Sequence, residues 1–311
     1  MITNDRLFAV AVDYYEKGKT KSDIAKELGV SHVQVGKYLN LAKDRGLVEI
    51  VLNAPSVQPE EEEKMLKLFN DLYGLEELIL VPGAASEKTT HAFIIDSLTR
   101  YILETFPPES LRFAIGMGRF IREIGDTKLK VVEKRPKWKI IPALNYDVQE
   151  SYNGSYYDCL GVCEDYCRNW GVSLDKKYHD LITDFLNGTE DGEKKDGYYR
   201  NIDFVIGGVG VTFPRNPKLK SAFFKEEDLK KLKYDISGDY LNYYFDESGA
   251  VIRPITQGEY AMTIDEIMKV KKRIAVASGY TKIGSISSLL KTGMVNVLAT
   301  DLPTARLVLS L

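Results

Sequence analysis

Apolar residues recur at helical spacing in the N-terminal part of the chain, and short apolar runs alternate with amphipathic stretches thereafter. Leu7, Val10, Ala11, Tyr14 and Tyr15 predict a helix over residues 5–17, ended by Gly18. Two shorter helices follow. Thr20, with Asp23 three residues on, opens the first of them, and Ile24, Ala25 and Leu28 give it an apolar face. Gly29 stops it, because glycine takes the left-handed cap conformation without a Cβ penalty. Ser31 opens the next, with Gln34 three residues on, and Val30 and Val35 stand where a hydrophobic staple fixes the entry angle. This is the pattern of a helix-turn-helix, whose second helix lies in the major groove of double-stranded DNA.

Winding that second helix at about 100° per residue puts Val35, Leu39 and Ala42 on the inward side. His32, Val33, Gly36, Lys37 and Asn40 fall on the opposite arc. Together with Ser31 and Gln34 at the helix start, these are the candidate DNA-binding residues. Lys37 can reach a guanine edge or a phosphate, Asn40 an adenine or a phosphate, and Val33 a thymine methyl. Gly36 either lets the helix approach the duplex closely or is an ordinary solvent-facing position. Residues 19–45 hold six Lys/Arg against three Asp/Glu in a chain whose net charge is −3, the footprint of a local basic patch. A plain helical hairpin is the competing reading. Residues 47–52, LVEIVL, predict a small wing strand.

Residues 53–63, NAPSVQPEEEE, have two prolines and no apolar period, and divide the chain into a DNA-binding domain (1–53), a linker (54–63) and a second domain (64–311). The acidic run there also suits the first turn of a helix over 64–73 that carries Met65, Phe69 and Leu72 on one face. Strands are expected at 78–81, 113–115, 139–143, 204–206, 273–277 and 295–300. Helices are expected at 90–105, 121–129, 156–170, 264–271, 282–291 and 302–309. Such alternation argues for an α/β fold, a mostly parallel sheet with helices on both faces. In such sheets ligands bind beyond the carboxyl ends of the strands.

The loops at those ends carry the candidate chemistry. Gly116-Met117-Gly118-Arg119 follows one strand and opens a helix, an arrangement that suits a phosphate but also an ordinary tight turn. Gly207, Gly208 and Gly210 follow another strand and permit close backbone approach. Asp239 in GDYLNYYFDESG would accept from sugar hydroxyls, and Lys282 and Arg119 would meet a phosphate. The alternatives are a turn for Asp239 and a solvated Lys282. Asp301 reads as a helix cap. Cys159, Cys163 and Cys167 share one helical face and read as core packing, as do the neighbouring Tyr156, Tyr157, Tyr166 and Trp170. His32, His91 and His179 are scattered, and neither a metal nor a cofactor is expected. The polar loop at 188–197 has no evident chemistry.

Apolar content of 44% and charged content of 28% describe a globular protein with a sizeable core. No apolar run approaches the 18 or more residues of a membrane span, no signal peptide is recognisable, and three cysteines give no disulfide framework. A cytoplasmic location is expected.

The stretch YYEKGKTKSDIAKELGVSHVQVGKYLNLAKDRGLVEI resembles the DNA-binding domain of the SorC-type sugar-responsive transcriptional regulators of bacteria, with Lys37 where an arginine is usual. The resemblance continues through MLKLFNDLYGLEELILVPGA, GMGR, VIGGVG, GDYLNYYFDESG and GYTKIGSISSLLKTGMVNVLATDLPTARLVL. It implies a Rossmann-like effector domain akin to ribose-5-phosphate isomerase and glucosamine-phosphate deaminase, binding a sugar or sugar phosphate. The family pattern matches at Gly116, Gly118, Arg119, Gly238, Asp239, Asp246 and Lys282, and departs at Phe120, Asn242 and Tyr243, where threonine, glycine and arginine are common. The expected function is an effector-controlled transcriptional regulator acting as a homodimer or homotetramer, not an enzyme. The alternatives are a sugar-phosphate isomerase or deaminase, in which Asp239 and Lys282 act as base and electrophile, and a DNA-binding adaptor without an effector.

Overall fold

The structure, a computed structural model, describes residues 2–48, 55–143, 159–175, 199–210, 236–241, 243–252 and 261–311. It forms two compact units, Met1–Asn53 and Ala54–Leu311. Among the sequence expectations, residues 49–52 of the wing strand, Tyr156 and Tyr157, His179, the loop at 188–197 and Asn242 lie outside the described residues.

The first unit contains α1 (Asn4–Ala11), α2 (Lys21–Leu28) and α3 (His32–Asp44). Its caps are the predicted ones. Thr20 Oγ1 accepts from Asp23 N–H at 3.1 Å, and Ser31 Oγ from Gln34 N–H at 3.1 Å. Gly29 caps α2 at φ 65°, a left-handed conformation that glycine adopts without strain. Leu7, Val10, Ala11, Ile24, Ala25, Val35, Leu39 and Ala42 close the core, and Val30 packs against it. Tyr15 does not join them. The chain beyond α1 continues as a π turn, Val12–Glu16, with Lys17 N–H donating to Val12 O. The wider winding turns Tyr15 outward, 40% exposed, where the Lys43 ammonium lies 5.8 Å from its ring centre.

The second unit opens with α4 (Pro59–Tyr73), which starts five residues earlier than the apolar pattern indicates. Pro59 suits the first helical position and Glu60, Glu61 and Glu62 the first turn. Its buried ridge runs through Met65 and Phe69 to Tyr73, whose hydroxyl is 3.3 Å from Ser287 Oγ. Leu72, expected on that face, is 61% exposed. The stripe follows the four-residue ridge of the helix rather than its three-residue one.

Among the described residues the central sheet has seven strands. They are β1 (Glu77–Val81), β2 (Leu111–Ile115), β3 (Trp138–Pro142), β4 (Ser173–Leu174), β5 (Phe204–Gly208), β9 (Lys272–Val276) and β10 (Val297–Asp301). Between β5 and β9 the chain forms a smaller antiparallel sheet of β6 (Gly238–Tyr240), β7 (Tyr243–Phe245) and β8 (Val251–Ile252). The order in the large sheet is β1-β10-β9-β5-β2-β3-β4, every pairing parallel. Alternate residues face opposite layers. Phe113, Ile115, Phe204 and Ile206 pack under α5 (Glu87–Thr105), α6 (Arg119–Gly125) and α7 (Cys159–Trp170). Ala114 and Val205 face the other layer, with α4, α8 (Ile264–Lys269), α9 (Ile283–Lys291), α10 (Leu302–Val308) and the small sheet. Burial on both faces is why these strands read as continuous apolar runs.

Two further features depart from the sequence expectations. Helix α6 ends at Gly125, four residues before the expected end, and Tyr166 occupies the space over that glycine, where a Cβ would lie 2.6 Å from its ring. Within the stretch expected as a loop, residues 238–240 and 243–245 pair as the antiparallel strands β6 and β7, with Leu241 at φ 48°. Cys159 and Cys163 are buried, and Cys159 Sγ donates to Ile115 O at 3.1 Å.

Candidate functional site

On the first unit, α3 presents the expected arc. His32, Val33, Lys37 and Asn40 are exposed, with Val33 at 56%, while Val35, Leu39 and Ala42 are buried. Ser31 and Gln34 start the helix, Gln34 N–H donating to Ser31 Oγ. Nothing lies within 4 Å of a Cβ built on Gly36. The fold itself therefore does not require glycine there. Gly36→Ala is expected to raise the thermal stability of the unit by about 1 kcal/mol. On the close-approach reading it weakens duplex binding at the same time. A stabilised variant that binds duplex as the parent does, measured by melting and anisotropy on one preparation, would assign Gly36 to ordinary solvent exposure.

In the second unit, chain order runs outward in opposite directions from the β2/β5 pair, to β3 and β4 on one side and to β9 and β10 on the other. The connecting helices α6 and α9 cover opposite faces. A crevice opens at the carboxyl ends of strands where such an order reverses. The loop Gly116–Arg119 follows β2 there, and Gly207, Gly208 and Gly210 close β5.

These glycines are in contact. Gly116 N–H donates to Ile206 O at 2.7 Å. A Cβ on Gly116 would lie 2.6 Å from Leu241 Cδ2, and one on Gly208 3.4 Å from Met117 O. Gly118, at φ 124°, adopts a conformation closed to other residues, and Gly279 does the same at 97° just before Lys282. An antiparallel bridge between Val209 and Tyr240 ties the end of β5 to β6 and carries Asp239 into the crevice. Gly210 N–H donates to Asp239 O at 2.9 Å, and the carboxylate lies over Gly210 so closely that a Cβ would fall 1.7 Å from Oδ1. The Lys282 ammonium donates to Val209 O on the same loop.

Burial pushes the Asp239 carboxyl up to about 6, and the Lys282 charge pulls against that shift. Burial also depresses Lys282, with Asp239 opposing. The two therefore form a sheltered pair of opposite sign. Arg119, at the start of α6, is 57% exposed and donates through Nε to Glu123 Oε1 at 2.8 Å. Asp246 is placed differently. Its Oδ1 accepts from Ser248 N–H, Ser248 Oγ and Ala250 N–H, which forms the turn between β7 and β8. Asp301 caps α10 through Thr304, as read from the sequence, and Thr304 Oγ1 accepts from Gly279 N–H. Tyr243 is buried, its hydroxyl donating to Met262 O. Sequence reasoning missed His91 and Glu123, which stand beside Arg119.

Residues 197–310 match the family described as "Putative sugar-binding domain". The chain is 22% identical over 317 residues to the sorbitol operon regulator of Klebsiella pneumoniae, covering 96% of both proteins. It is a relative of the SorC-type regulators. The transcriptional regulator LsrR of Escherichia coli K12 is 20% identical over 325 residues, with 99% of this chain and 96% of that protein covered. Among solved structures, the full-length sorbitol operon regulator SorC of Klebsiella pneumoniae superposes with a TM-score of 0.64 at 17% identity, over 99% of each chain. A transcriptional regulator from Streptococcus pneumoniae superposes at 0.65 and 18% identity, over 81% of this chain and 97% of that one. The likeness shows a shared fold. Among the described residues no helix is long and apolar enough to cross a membrane.

Proposed function

We propose that this chain is a DNA-binding transcriptional regulator whose operator affinity is set by a sugar or sugar phosphate bound at the β2/β5 crevice. The observation that supports it most is the presence in one chain of two separate sites: an exposed α3 arc on a capped helix-turn-helix, and a glycine-lined crevice holding Asp239 and Lys282. The sorbitol operon regulator and LsrR, similar over nearly the whole chain, have names that describe regulation. In this reading Lys37 and Asn40 meet base edges. Asp239 accepts from sugar hydroxyls, Lys282 and Arg119 receive any anionic group, and the glycines admit the ligand to the backbone. Two copies binding together would read two half-sites.

Asp239 beside Lys282 also has the form of an acid–base pair, which favours an isomerase or deaminase as the second reading. One titration separates the two. Calorimetry of the whole chain against a panel of pentoses, hexoses and their phosphates should find a ligand that is recovered unchanged. Turnover of that ligand, seen by NMR, would favour the enzyme. The same titration carries a pH signature. A carboxyl at about 6 is ionised at pH 7.5 and protonated at pH 5, where it loses much of its strength as an acceptor. Affinity for a neutral sugar should fall across that interval. A flat profile would remove Asp239 from the contact.

A further inference from the structure

Arg119 does not stand alone at the crevice mouth. Its Nε donates to Glu123 Oε1 at 2.8 Å, and Glu123 Oε2 lies 2.8 Å from His91 Nε2 on α5. The imidazole is stacked on the Phe120 ring, 3.6 Å between centres and 8° from parallel. The stack fixes the plane of His91, and the carboxylate lies between the imidazole and the guanidinium. We infer that Glu123, hydrogen-bonded to Arg119, is a specificity-determining residue that sets how strongly the crevice takes an anionic group as against a neutral sugar.

The argument is one of charge. An arriving phosphate must share Arg119 with a carboxylate already on it, and must also approach that negative charge. A neutral polyol meets neither cost. His91 does not cancel the carboxylate at neutral pH. Burial holds the imidazole below its ordinary value; Glu123 pulls it upward, while Arg119 adds to the depression. Glu87, on the same helix as His91, is a further negative group that favours its charged form. Glu123 is two-thirds covered, so its charge is only partly screened.

The inference rests on the crevice reading, in particular on Arg119 as a ligand contact. The test is titration of the whole chain with inorganic phosphate, with the sugar phosphates of the panel, and with the neutral sugars. E123Q keeps the size of the side chain and removes its charge. Loss of one like charge at about 6–8 Å from a phosphate in a half-exposed site is worth on the order of tenfold. Phosphate and sugar phosphates should therefore bind E123Q about ten times more tightly, and neutral sugars within twofold of the parent. A uniform change for charged and neutral ligands would mark Glu123 as merely structural and overturn the inference. So would unchanged phosphate affinity in E123Q when Arg119→Ala weakens it, and that outcome would leave the crevice reading standing. If Arg119→Ala also leaves phosphate binding unaltered, the placement of the ligand at Arg119 falls, and the inference with it. Failure of both the parent and E123Q to bind any anion overturns it as well.

Discussion

Lys282→Ala should lower affinity for an anionic sugar by roughly ten- to a hundredfold while leaving operator binding in the absence of sugar intact. A hydrogen bond to a charged group contributes about 1.5–3 kcal/mol, and each decade of affinity corresponds to about 1.4 kcal/mol. The expectation at the upper end comes from burial. The ammonium is sheltered, and its charge is what keeps the Asp239 carboxyl from rising further. Removing it takes a cation from the ligand and leaves the carboxylate without its counter-charge. Lys282 also donates to Val209 O, so the loop after β5 loses a tether, and neutral sugars should weaken too, by less. The proposed DNA-binding arc lies on the other unit, so unliganded operator binding should be spared. Calorimetry for the sugar and anisotropy for the duplex check both halves. Sugar affinity equal to the parent's would mean that the ligand sits elsewhere.

Leu39→Ala and Lys37→Ala, two residues apart on α3, should fail in different ways. Leu39 is 3% exposed in a core of Leu7, Val10, Ile24, Val35 and Ala42. Truncating a buried leucine costs about 2–5 kcal/mol, and a core of this size supplies only about 3–5 kcal/mol in all. The first unit should therefore melt in Leu39→Ala and lose duplex binding of every sequence. Lys37 is exposed and makes no core contact. Its replacement should leave the helical circular dichroism unchanged and cost about 1–3 kcal/mol for the operator when a base contact is lost. Non-specific duplex should lose much less. Melting curves together with anisotropy at matched salt distinguish the two. Parental operator affinity in Lys37→Ala would mean that α3 does not enter the groove in this register.

Local chemistry was what the sequence revealed most directly. The caps at Thr20 and Ser31, the stop at Gly29 and the cap at Asp301 involve partners three residues apart, so their signals are complete in a short stretch. The parallel strands were visible because burial on both faces makes each an uninterrupted apolar run, as in FAI and IAVA. The hairpin of β6 and β7 was not. Tyr243, Tyr244 and Phe245 are all buried, so the alternation that marks a strand is missing, and three residues are too few to show a period. Asp246 did carry a local signal, a carboxylate two residues before a serine and three before Gly249, which reads as a turn once the hairpin is known. The contacts that organise the crevice are long-range. Neither Asp239 over Gly210, nor Lys282 on Val209, nor His91 beside Glu123 leaves a pattern in any one window.

The central claim is that one chain reads DNA and a sugar and couples the two. It is tested most directly by selecting duplexes from a random pool with the whole chain, then following the selected duplex by anisotropy during a sugar titration. The account predicts enrichment of a sequence with two-fold symmetry, loss of that binding in Lys37→Ala, and a shift of duplex affinity by at least one sugar or sugar phosphate that Lys282→Ala reduces. No enriched sequence, or an enriched sequence whose affinity no member of the panel alters, would contradict it.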